Sequence, residues 1–177
     1  MQQHGIPSNR VRAHAHTLAT CVRTHKTASL SAMDPTAAWS ALLRVHAALT
    51  PVLDQELQTA HGLPLTWYDV LLELNAAPGR ALTMTQLGQV AVVSRSRVSR
   101  VVDELVRAGL VERAPNPDDG RSAFARITPA GRGRLRAAAP TYLAGIERHF
   151  TSHLTDAEQV TVATALEKVI GRSRVVQ

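Results

Sequence analysis

The period of the apolar residues changes abruptly between Ser94 and Ile127, and few folds accommodate that change. Val98, Val101, Val102, Leu105 and Val106 recur at three- and four-residue steps, the pattern of a helix buried along one side. Ser94 can cap that helix, which runs to Ala108 and is stopped by Gly109. Two short strand-like runs follow, LVERA (110–114) and SAFARI (122–127), around PNPDDGR, a loop made of turn residues. Upstream, Thr83 and Gln86 have capping-box spacing and open a short helix through Val90. Two helices joined by three or four residues and followed by a hairpin make a winged helix-turn-helix.

The rest of the chain reads as helix. Asp34 then Pro35 is a helix start, and Ala38, Leu42, Val45, Leu49, Val52 and Leu53 carry the period from about 35 to 60. Thr66 opens a second helix, closed by Pro78 and Gly79. Thr128 and Pro129 restart helix to about Phe150 with a bend expected at Pro140, and Thr155 with Glu158 caps a last one to about Gly171, its apolar stripe including Leu166, Val169 and Ile170. The expected class is mainly α with a small β-hairpin wing. Residues 33–177 would form one domain: a winged helix at about 66–128 (helix-turn-helix 83–108, wing 110–127) plus a helical region at about 35–60, 129–150 and 155–171. Residues 1–32 are polar and aperiodic and read as a disordered basic extension. Either a flexible arm or an over-long start assignment before Met33 accounts for them.

Charge is distributed unevenly. The net charge is +6, and residues 94–136 hold ten arginines against five acids, while 33–93 hold two basic groups against five acids. Such localisation is expected of a polyanion binder. On a helical projection Ser96, Ser99, Arg100, Asp103 and Arg107 lie opposite the valines, with Arg95 and Arg97 on the flanks of the first turn. An α-helix fits the major groove of double-stranded DNA, arginine can bond guanine O6 and N7 together, and serine hydroxyls and the positive helix end can hold phosphate. Arg100, mid-face, is the first choice for a base contact; Arg95 and Arg97 are as well placed for phosphate. Arg121 at the loop end is shaped for the narrow minor groove, with Asp119 bracing an arginine there.

From about Ala37 to Ile170 the chain resembles the MarR family of bacterial winged-helix regulators. The resemblance rests on MTQLGQVAVVSRSRVSRVVDELVRAGLVER (84–113) and PDDGRSAFARITPAG (117–131), with an Asp-x-Arg wing motif at Asp119 and Arg121 and an Ile-Thr-x-x-Gly step at Ile127, Thr128 and Gly131. It implies a homodimer whose first and last two helices interlock, a palindromic operator, repression, and release by a small, often aromatic, anion. By position, Ser96, Arg97, Ser99 and Arg100 would enter the major groove, Arg121 the minor groove, and Thr85 and Gln86 would touch phosphate. An effector pocket would draw on Arg44, His46, Trp67, Tyr68 and Tyr142, although Trp67 and Tyr68 equally suit core packing. Urate is not indicated, since Tyr68 separates Trp67 from Asp69 and Val101 stands where that branch has arginine.

Other classes fit less well. No run of about 18 uncharged apolar residues could span a membrane, and the N-terminus lacks a signal peptide's apolar core, so the expected location is cytoplasmic, at the nucleoid when DNA-bound. No phosphate loop, nucleophile motif or carboxylate pair indicates an enzyme, and no cofactor is implied. His149 and His153 have metal spacing, but no nearby acid or thiol completes a set, so no metal is expected. Cys21, the single cysteine, precedes the first helix by too much for the thiol-sensing pattern of the family. The alternatives are a nonspecific architectural DNA binder and a thiol-based redox regulator.

Overall fold

A computed structural model describes residues 34, 36–91, 95–116 and 123–175. The chain divides into two units, residues 1–43 and 44–177. Among the described residues six α-helices and three strands occur in the order α1 (Ala37–His61), α2 (Leu65–Ala76), β1 (Ala81–Thr83), α3 (Met84–Val90), α4 (Arg95–Arg107), β2 (Val111–Pro115), β3 (Ala123–Ile127), α5 (Pro129–His149) and α6 (Asp156–Val175). The expected class, mainly helical with a small antiparallel sheet, is the one observed. In the first unit the described residues end in the opening turns of α1, where Trp39, Leu42 and Leu43 are exposed. Asp34 Oδ1 accepts the Thr36 amide at 2.9 Å, the cap expected of an Asp-Pro start.

The second unit has its core where α2, α3, α4, the sheet and α5 converge. Leu71, Leu74, Leu87, Val102, Leu105 and Ala125 are fully buried within it. The capping box at the start of α3 is complete: Gln86 N–H donates to Thr83 Oγ1 and Thr83 N–H to Gln86 Oε1. The one before α6 has the same two arms, with Glu158 accepting from Thr155 at 2.8 Å. That hydrogen bond lowers the Glu158 pKa from the ordinary carboxylate value.

Three local features differ from the sequence expectation. Thr66 does not open α2. The helix begins at Leu65, whose N–H donates to Asp54 Oδ1 of α1 at 2.8 Å, so the cap comes from another helix. The sheet has a third strand, β1, in the order β1-β3-β2, with Leu82 opposite Ala125; three residues are too few to show a period. Finally, the apolar stripe expected along α1 is buried only towards its end. Leu53 and Leu57 are covered, whereas Val45 and Val52 are exposed.

The junction of sheet and α5 explains the Ile-Thr-x-x-Gly step. Thr128 Oγ1 accepts the Gly131 amide at 3.0 Å and donates to the Gly109 carbonyl at 2.8 Å, tying the start of α5 to the end of α4. Gly131 is required there because a Cβ would lie 2.2 Å from the Leu110 carbonyl oxygen.

Candidate nucleic-acid interface

The recognition-type helix α4 has one buried side, and the residues that face inward are those the period selects. Val98, Val101, Val102 and Leu105 are at most 5% exposed. Burying four such side chains contributes roughly 6–12 kcal/mol before entropic costs, enough to fix which side of the helix faces solvent. The C-terminal end is equally determined. Gly109 takes φ 71°, its N–H donates to the Val106 carbonyl and that of Leu110 to the Leu105 carbonyl, a Schellman stop that needs a residue without Cβ.

On the opposite side Arg97, Ser99 and Arg100 are exposed on the first two turns. Both acids of α4 are engaged by partners on neighbouring elements. Asp103 pairs with Arg113 of β2 at 2.7 Å, and Glu104 Oε2 accepts the indole N–H of Trp67 on α2 at 3.1 Å. A positive, serine-bearing surface therefore remains at the N-terminal half of the helix. Arg95 and Ser96 open α4, with side chains outside the described part; Ser94, Asp119 and Arg121 lie outside the described residues. The strands flanking the wing loop pair from Val111↔Ile127 to Pro115↔Ala123, and Arg126 lies 3.8 Å from Glu112 across them. Thr85 and Gln86 are exposed at the start of α3, with Gln86 Oε1 already held by Thr83.

The five expected pocket residues do not converge within one chain. Tyr68 is buried and stacks on Tyr142 of α5, ring centroids 4.6 Å apart at 45°, with Trp67 at the edge of the same core. Burial raises both phenol pKa values. Arg44 and His46 are exposed and distant. His61 bonds Thr141 and Glu56 meets Arg148 and His149, so α1 runs antiparallel to α5. His46, ten residues before Glu56, therefore lies about 15 Å further along α1, away from Tyr142. A shallow groove of about 550 Å³ between α1 and α5, lined by Gln55, Thr59, Ala60, Pro140, Thr141 and Ala144, contains none of the five.

Two carboxylates on these helices have environments that no local sequence pattern signals. Asp69 follows Tyr68, and burial, with Glu73 nearby, pushes its pKa up to about 6. Glu56 supplies the acid that sequence reasoning did not find near His149. Its Oε1 lies 2.8 Å from His149 Nε2 and from Arg148, and these contacts, the His149 hydrogen bond foremost, lower its pKa. Neither signal is local: Glu56 and His149 are joined only by the crossing of α1 and α5, where Gly145 permits close approach to Glu56 and Leu53. Among the described residues no three metal-type side chains cluster, and no helix is long and apolar enough to cross a membrane.

Residues 61–122, from the end of α1 through the wing loop, match the MarR family model. The chain is 31% identical over 111 residues to the HTH-type transcriptional regulator MhqR of Bacillus subtilis, covering 63% of this chain and 74% of that protein. It is 29% identical over 103 residues to the multiple antibiotic resistance protein MarR of Escherichia coli, covering 58% and 70%. Among solved structures, Sco3205, a MarR family transcriptional regulator from Streptomyces coelicolor in complex with DNA, superposes with a TM-score of 0.71 at 31% identity over 81% of this chain and 89% of that one. AbsC, from the same organism and family, superposes with a TM-score of 0.70 at 29% identity over 81% and 98%. With this fold, this helix and these relatives together, the chain belongs to the MarR family, whose members are transcriptional regulators rather than enzymes.

Proposed function

We propose that the protein is a sequence-specific regulator that binds double-stranded DNA as a homodimer, reads a palindromic operator and represses the genes beside it until a small effector releases it. The observation that carries this reading is the side of α4 left exposed. Its valine and leucine side is sealed in the core and both its acids are engaged with protein, so Arg97, Ser99 and Arg100 are what the helix offers to a groove. A relative 31% identical, Sco3205, is solved in complex with DNA, which supports DNA as the partner. In this reading Arg100 takes a base, Ser96, Ser99 and Arg97 share base and phosphate contacts with Ser94 and Arg95, Thr85 and Gln86 hold phosphate, and Arg121, supported by Asp119, enters the minor groove.

The dimer is supported by what one chain leaves uncovered. From Asp156 to Gly171 every residue of α6 except Gln159 and Leu166 is exposed, Val160, Val162 and Ile170 among them, together with Val45 and Val52 of α1 and Leu143 of α5. A helix this exposed is marginal in water by itself, and a second copy is the partner a palindrome requires. Two copies related by a two-fold axis would address half-sites about 10 base pairs apart. The effector is assigned to the α2–α5 region around Trp67, Tyr68 and Tyr142, with Arg44 and His46 reaching it only from a second chain.

Selection from a pool of random duplexes tests the reading. A two-fold symmetric site should be enriched; enrichment of no symmetric sequence would leave a nonspecific architectural binder. Light scattering should give the mass of two chains, and a thermal-shift screen of aromatic acids tests for the effector.

A further inference from the structure

We infer that the hydrogen bond between Trp67 and Glu104 sets the orientation of α4 for base readout, so that this pair positions the recognition helix without touching DNA. The inference rests on the proposed reading of α4 as the helix that reads bases.

The packing of α4 leaves something for such a bond to do. Its inner surface consists of Val98, Val101, Val102 and Leu105, and contacts of that kind are non-directional: they hold the helix down but resist small rotations and tilts weakly. Directional contacts come from two adjacent residues on one turn, Asp103 to Arg113 of β2 and Glu104 to Trp67 of α2. They restrain two different sides of the helix, about 100° apart, one towards the wing strand and one towards α2. The Asp103–Arg113 pair is about half exposed on both sides and, like other surface ion pairs, is weakly restraining. The indole–carboxylate bond is part-buried and its donor is rigid. Trp67 packs against the core, and the next residue, Tyr68, is buried against Tyr142. A part-buried acceptor meeting a fixed donor makes the more directional of the two restraints.

The lever arm shows why this affects readout. Arg97 and Arg100 lie seven and four residues before Glu104, about 10 and 6 Å along the helix. A tilt of about 10° at the restrained turn moves Arg97 by nearly 2 Å, and a hydrogen bond to a base edge does not survive an error of that size. Phosphate contacts by long side chains adapt to it. Loss of the pair should therefore lower specific binding and spare nonspecific binding.

The test measures binding of the full chain to the selected duplex and to a shuffled duplex of equal length. Trp67→Phe keeps an aromatic ring without the donor, and Glu104→Ala removes the acceptor at a half-buried position. Each should weaken the selected duplex about tenfold and the shuffled one by less than about twofold, with no further loss in the double variant. Glu104→Gln keeps an acceptor and removes the charge, and it should stay within about twofold of the native protein. Trp67→Phe binding like the native chain, additive losses, or Glu104→Gln falling as far as Glu104→Ala would each overturn the inference. A native chain with no preference between the duplexes would overturn the functional reading as well, whereas a full preference retained by Trp67→Phe overturns the inference alone.

Discussion

The two helices most relevant to function, α4 and α6, are built in opposite ways. α4 has four residues sealed in the core of its own chain, a Schellman stop and two side-chain restraints, so a single chain fully determines which way it faces. α6 is longer, yet from Asp156 to Gly171 every residue but Gln159 and Leu166 is exposed, Val160, Val162, Val169 and Ile170 included. The difference separates what a protomer can specify alone, a helix aimed at a groove, from what only a second molecule can supply, the spacing between two such helices.

The largest effect should come from breaking the self-sufficient side of that contrast. Gly131→Ala places a Cβ 2.2 Å from the Leu110 carbonyl oxygen and 2.8 Å from Ile127, and since the first of these is backbone no rotamer change relieves it. A loss of about 3 kcal/mol or more is expected in denaturant unfolding, at the upper end for overpacking. DNA binding should fall with it, because Thr128 and Gly131 tie α5 to the turn that ends α4. Retained stability would show that the junction yields.

The dimeric side is tested by Val162→Glu combined with Ile170→Glu. Were α6 solvated in the functional protein, both changes would fall within about 0.5 kcal/mol each, as for other surface sites. If α6 is a subunit interface, light scattering should show one chain at micromolar concentration, and the dependence of Tm on protein concentration should disappear. The monomer should keep its secondary structure and lose most of its affinity for a palindrome.

At α4 itself, Arg100→Ala should cost about 1–3 kcal/mol on the selected duplex and relax preference at one base pair. Equal loss on selected and random DNA would refute base readout at Arg100. The same comparison on Arg121→Ala should weaken binding and leave the major-groove consensus unchanged.

What the sequence revealed follows from the range over which each interaction acts. The inward side of α4, its glycine stop, both capping boxes and the two hairpin strands depend on residues no more than a few positions apart, and all are present in the structure. Contacts between distant segments were not legible: Asp54 capping α2, Glu56 meeting His149, and Glu104 accepting from Trp67 each join different helices. Strand β1 escaped because pairing with β3, rather than its own three residues, defines it. For α1 and α6 the apolar period was readable, but period alone does not say whether a stripe is covered by its own chain or by another. Of the expected α4 set Arg97, Ser99 and Arg100 are placed on the exposed side of the helix, whereas the expected pocket residues are split, because Tyr68 and Tyr142 meet through α2 and α5 while Arg44 and His46 lie along α1 in another direction.

Asp69 gives the smallest and most diagnostic effect. Its pKa of about 6 lies above the unfolded value of 3.8, so folding favours the protonated carboxyl. Its cost is absent below about pH 4, grows as pH rises, and is complete above about pH 6. Asp69→Asn removes that cost and should raise Tm at pH 7.5. After discounting for a carboxyl that is only partly buried, the gain is about 1–2 kcal/mol, or roughly 3–6 °C, shrinking to nothing near pH 4. A gain that does not change with pH would mean that packing, not charge, is responsible. The variant also bears on the contrast between α4 and α6. Asp69 lies on α2, beside the Tyr68–Tyr142 contact and two residues from Trp67, within the part of the molecule that a single chain completes. The Tm gain should therefore persist in the Val162→Glu/Ile170→Glu monomer, and its loss there would place the burial of Asp69 in the dimer instead.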